Sequence, residues 1–241
     1  MKKIDTHFFN PKQQELNWFN RNFYYATTIV MIALMVLSYF FFQDSLVKIC
    51  EKSVGLSFLS LIFDPLCHGN VGHLIANCLS FFVVSLFLER HFGSIKYLII
   101  IIFASSIASI TNDIEWLIEG GLTLEQNPGM GVPSGASLMN FFLYGIFFTV
   151  IIFDFKPYLA QKWQPIFTII ILFVILAMIC WNGDSSAIIS NPKAFFKFGR
   201  FSALFNSDGT FNNHFYSMVP GFVIGLFANI FALGNKKRQD N

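Results

Sequence analysis

Apolar residues gather in six runs along the chain, at approximately 24–42, 74–88, 97–111, 135–153, 165–181 and 218–234, with polar residues between them. Several runs reach, or nearly reach, the ~20 residues a helix needs to cross a bilayer. Lipid supplies no partner for backbone N–H and C=O groups, so helices are the elements such runs form. The pattern predicts an all-α integral membrane protein. One bundle of six transmembrane helices fills residues 24–234, after a segment at 1–23 and before a basic tail at 235–241. The first run is too long and too far along for a cleaved signal peptide, and no small-residue cleavage site follows it.

Composition agrees with this class. Of 241 residues, 54% are hydrophobic and 12% charged, against roughly 25% charged in a soluble domain. Lysine and arginine set the expected orientation. With the N-terminus inside, the inner segments hold Lys2, Lys3, Lys12, Arg21, Arg90, Lys96, Lys156, Lys162, Lys236, Lys237 and Arg238, and the outer loops hold only Lys48, Lys52, Lys193, Lys197 and Arg200. That bias predicts both termini in the cytoplasm. It leaves the acidic 112–133 loop, with Asp113, Glu115, Glu119 and Glu125, on the outer side. The compact six-helix form leads to the expectation of a bacterial inner membrane. The net charge of +2 records sidedness and gives no reason to expect a nucleic-acid partner. The four cysteines show no CxxC pair and no metal-ligand spacing, so neither metal nor cofactor is expected. Cys50 and Cys67 fall in one outer loop, where a disulfide is conceivable.

Against this apolar background the polar residues stand out. In FDPLCHGNVGHLIANCLSFF (63–82), His73 and Asn77 are four apart and share one face of the second helix. His68 lies just before that helix or in its first turn. Headgroup wetting would account for the two histidines. It accounts poorly for Asn77, which lies more than a turn deeper and must find its partner inside the bundle.

In GMGVPSGASLMNFF (129–142), Ser134 stands between Pro133 and Gly135 where a loop turns into the fourth helix. Proline near N1 and serine near the N-cap are ordinary at a helix start. Gly135, however, lets another helix approach beside the hydroxyl. In NNHFYSMVPGFVIGLFANIF (212–231), Gly221 and Gly225 form a small-xxx-small pair for helix packing, and His214 lies near two turns before Gly221 on nearly the same face.

These parts suit one reaction. A serine becomes a nucleophile when an adjacent base takes its proton. The resulting oxyanion needs donors fixed in a site of low dielectric. Ser134 supplies the nucleophile, His214 the base, and His73 with Asn77 the donors. No intramembrane Asp or Glu is placed to orient the base, so the reading is a dyad and not a triad.

At this point the chain resembles the rhomboid family of intramembrane serine proteases, over about residues 57–234. The segment CHGNVGHLIANCLSFFVVSLFLERHFGSIKYLIIII (67–102) is similar to that family's H-x4-H-x3-N stretch, with a Glu-Arg pair and a Gly-Ser turn after it. The resemblance implies that His73 and Asn77 hold the oxyanion, that His68 supports the active-site side of the second helix, and that Glu89 and Arg90 form a structural pair. It implies transmembrane protein substrates, cut at a small residue near the outer leaflet. It also implies that the 183–217 loop, with PKAFFKFGRFSALF (192–205), covers the site.

Two departures matter. The family's G-x-S-G reads Val132-Pro133-Ser134-Gly135 here, and its last-helix histidine, three residues before the first glycine, corresponds to Met218. His214 lies one turn farther out. Pro220 predicts an irregular entry to the last helix that would lower His214 toward Ser134. The alternative reading is a catalytically inactive rhomboid-like scaffold that binds membrane proteins. A small transporter fits less well, because repeated halves and broken helices are missing.

Overall fold

The computed structural model describes residues 25–50, 58–119, 135–159 and 213–239, together with Ile169, Phe173, Leu176, Ser190, Asn191, Lys193 and Leu204. The elements are α1 (Ala26–Cys50), α2 (Phe58–Phe63) running into a 3₁₀ turn (Asp64–Leu66), α3 (Val71–Phe92), α4 (Ser94–Glu119), α5 (Ser137–Leu159) and α6 (Asn213–Gln239). Ala26–Leu46, Val71–Phe92 and Ser94–Thr111 are each long and apolar enough to cross a bilayer, and Ser137–Ile152 forms a shorter apolar helix. The protein is an all-α integral membrane protein. Of the expected helix at 165–181 only Ile169, Phe173 and Leu176 are described; they are helical, lie on one face and are exposed.

Lipid as solvent explains which way each helix faces. On α3 the exposed residues include Ile75, Leu79 and Phe82, whereas Asn77, Ser80, Ser85 and Glu89 are buried. The hydroxyls inside find one another: Ser80 bonds Tyr144 of α5, and Ser85 bonds Tyr97 of α4 at 2.6 Å. Around them Phe81, Leu88, Phe142 and Phe147 form the apolar interior.

Glu89 has a role that the Glu-Arg resemblance did not imply. Its carboxylate accepts from the backbone N–H groups of Thr27 (2.9 Å) and Thr28 (2.8 Å) and from the Thr28 hydroxyl (2.5 Å). A helix leaves its first N–H groups without intrahelical partners. Here α3 closes the start of α1 with a buried side chain, while Arg90 on the next position is exposed. The Thr27 hydroxyl adds a bond to the Ser94 carbonyl at 2.8 Å.

Helices α5 and α6 touch backbone to backbone. A Cβ at Gly221 would collide with the Phe142 carbonyl. One at Gly145 would meet the Met218 carbonyl and, at 2.5 Å, the Phe222 nitrogen, and one at Gly225 would meet Thr149. Gly221 and Gly225 thus pack as expected, and Gly145 is their unread counterpart on α5.

Several boundaries differ from expectation. Helix α4 continues to Glu119, so Asp113, Glu115 and Glu119 lie on a helix and not in a loop. The irregular entry expected before Pro220 does not exist, because α6 is continuous from Asn213 with Pro220 inside it. The glycine contacts with α5 hold the α6 backbone on both sides of the proline, so losing one N–H does not divert the chain.

Two stability outcomes follow for the detergent-purified protein. Glu89→Ala leaves buried N–H groups unpaired and lowers stability by about 1–3 kcal/mol, with Arg90→Ala within about 0.5 kcal/mol; thermal unfolding reads both. Gly221→Val forces α5 and α6 apart and costs at least about 1–3 kcal/mol by the same measurement.

Candidate active site

Asn70 fixes where the second spanning helix begins. Its side-chain oxygen accepts from the His73 N–H at 2.8 Å, an N-cap that starts α3 at Val71 and leaves His68 in the preceding turn. That turn is tied down. Gln43 of α1 donates to the His68 carbonyl, and Cys67 is disulfide-bonded. Its sulfur lies 3.6 Å from the Leu46 carbonyl, one turn before Cys50, whose side chain lies outside the described residues.

His68 is fully buried, with its ring 5.4 Å from the ring of His73. Its Nδ1 lies 3.3 Å from the Leu66 carbonyl, so Nδ1 carries the proton and Nε2 the lone pair. Asn77, one turn along α3 from His73, is buried, and its Nδ2 has no hydrogen-bond partner among the described residues. An unmet amide donor in a lipid-shielded interior is costly in a purely structural role, and it is what a developing oxyanion needs.

Gly135 brings the head of α5 to these groups. It takes φ +65°, the left-handed region that favours glycine. A Cβ there would stand 3.1 Å from Asn77 Nδ2, 3.1 Å from His73 Cε1 and 2.9 Å from the Cys67 carbonyl. A side chain at this position would crowd all three groups. Asn140, which sequence reasoning passed over, donates from Nδ2 to the Asn77 carbonyl at 3.1 Å. An asparagine inside an apolar run was the signal. Ser134 lies outside the described residues.

His214 sits in the first turn of α6, its ring centroid 4.6 Å from that of Phe141 on α5. Gly221 packs against Phe142 and Gly145, in parallel helices of equal rise. Two turns outward, that pairing brings His214 level with the Gly135–Leu138 stretch. Met218 comes level with the Met139–Phe142 stretch, deeper along α5, where it packs on the apolar core. The height of His214 thus comes from the register of α5 and α6, not from a kink.

Burial lowers the pKa of His68, which lies outside the span Val71–Phe92, from 6.5 to about 4. The nearby His73 lowers it further, and the Leu66 carbonyl bond works the other way. The unfolded chain therefore binds more protons than the folded one between pH 6.5 and about 4. This contribution is fully present above pH 6.5 and is lost as pH falls to about 4, on the order of 3 kcal/mol in all. Thermal unfolding followed from pH 7 to 4 shows a falling midpoint, and His68→Gln flattens that slope.

A family model, Rhomboid domain, matches residues 55–234 of the chain. No curated protein and no solved structure matches it. The family match covers the capped start of α3, the Gly135 turn and the paired glycines of α5 and α6, and on that basis the chain belongs to the rhomboid family.

Proposed function

We propose that the protein is an intramembrane serine endopeptidase that cleaves transmembrane segments of other membrane proteins by a Ser-His dyad. The observation that carries this reading is the buried Asn77 amide, without a partner among the described residues, 3.1 Å from the Cβ position of Gly135. A serine at the head of α5 attacks the scissile carbonyl. His214 takes its proton and returns it to the leaving amine. Asn77 and His73 hold the oxyanion. His68 supports His73 from behind, and Gly135, Gly221 and Gly225 allow the close packing that brings these groups together. The expectation from sequence places the nucleophile's role on Ser134, adjacent to Gly135 and outside the described residues. Both termini lie in the cytoplasm of a bacterial inner membrane, with the site open to the outer face.

The second reading is an inactive scaffold that binds membrane proteins without cutting them. Met218 favours it, because the residue at the family's histidine position cannot accept a proton and packs on the core.

A fluorescent transmembrane-peptide substrate incubated with purified protein separates the two. Cleavage by the unmutated protein is expected, with a loss of about 10²–10⁴ in His214→Ala and of about 10²–10³ in Asn77→Ala. Met218→His does not restore His214→Ala, because it lies a turn deeper. Absence of cleavage across several substrates would leave the scaffold reading standing.

A further inference from the structure

The geometry points to Ser137, not Ser134, as the hydroxyl that attacks the substrate, an assignment that rests on the protease reading above. The helical register of α5 starts here: the Asn140 N–H bonds the Ala136 carbonyl at 2.9 Å, and Ser137 is the first residue of the helix. On a helix, residue i lies over residues i+3 and i+4. For Ser137 these are Asn140 and Phe141, and each marks a different neighbour. Asn140 reaches α3 through the Asn77 carbonyl, and Phe141 reaches α6 through the His214 ring. The residue one turn outward of both therefore faces the seam between Asn77 and His214.

Height agrees with direction. Asn77 approaches Gly135 with its side chain and Asn140 with its carbonyl, so its level on α5 falls between those two residues. The glycine register puts His214 level with Gly135–Leu138. Ser137 lies inside both intervals. It is also partly exposed, whereas Ala136 and Leu138 beside it are buried. A nucleophile that must meet a substrate needs that access. The same positions read Gly135-Ala136-Ser137, a G-x-S spacing, with the small, buried Ser217 three residues after His214 and Gly221 four beyond it.

In the reaction, a bond forms between Ser137 Oγ and the scissile carbonyl carbon while the hydroxyl proton passes to His214. The carbonyl electron pair moves onto the oxygen beside Asn77 Nδ2. The C–N bond then breaks as His214 gives its proton to the departing amine, and water releases the acyl group by the same steps.

An alkyl fluorophosphonate tests the assignment on the full chain in detergent. The serine Oγ–P bond forms, fluoride leaves and the proton goes to the base. Peptide mass spectrometry of the unmutated protein is expected to place the adduct on Ser137, and Ser134→Ala protein labels at the same residue. Ser137→Ala loses the label, and peptide cleavage falls by at least about 10³-fold, with an unchanged thermal midpoint showing that it folds. An adduct on Ser134, or unmutated cleavage rates in Ser137→Ala, would overturn the assignment while leaving the protease reading intact. Neither label nor cleavage in the unmutated protein would overturn both.

Discussion

The contact between the α5 and α6 backbones is the constraint on which the site depends. Gly145, Gly221 and Gly225 leave no room for a side chain, so one helix lies directly on the other's carbonyls. Such an approach can be made at very few relative heights, because a shift of one residue would put a β-carbon where a glycine now sits. The register is therefore fixed far more tightly than apolar packing alone would fix it. His214 inherits its height opposite the head of α5 from that register. Dispersion and weak Cα–H···O contacts reward the approach in lipid, where no hydrophobic force drives helices together.

A second organising rule is the inversion of polarity. In lipid the outward face of a helix can be wholly apolar, and polar groups gain only by turning inward to partners. Helix α3 follows this rule along its length, with Ser80, Ser85 and Glu89 each hydrogen-bonded to another helix. Asn77 is an exception on the same buried face: its carbonyl accepts from Asn140, but its Nδ2 has no hydrogen-bond partner among the described residues. Beside neighbours that are hydrogen-bonded, this amide is the group on which the proposed chemistry rests.

Much of this was legible in the sequence, because lipid writes helices as long apolar runs. The positions of α1, α3, α4, α5 and α6 were read correctly, as were the shared face of His73 and Asn77 and the packing role of Gly221 and Gly225. Their ends were not, because a helix stops where its caps and neighbours allow. Asn70 starts α3 by a side-chain bond, and α4 carries charged residues past the apolar run. The effect expected of Pro220 came from local propensity, which the glycine contacts override. Gly145 and Asn140 were missed because each becomes meaningful only opposite a residue on another helix. Ser134, chosen in the sequence between Pro133 and Gly135, lies outside the described residues, and Ser137, proposed in its place, has a helical face that is known only once α5 has a starting residue.

The cap that Glu89 places on α1 also bears on how the protein is made. Helix α1 emerges from the ribosome before α3, yet the group that satisfies its opening N–H donors lies near the end of α3. Until that segment has entered the membrane, those donors must stay in contact with water or headgroups. Helix α1 therefore has reason to wait at the interface side of the bilayer. The cap itself can form only once the end of α3 is in place, so the start of α1 gains its partners from a carboxylate far along the chain.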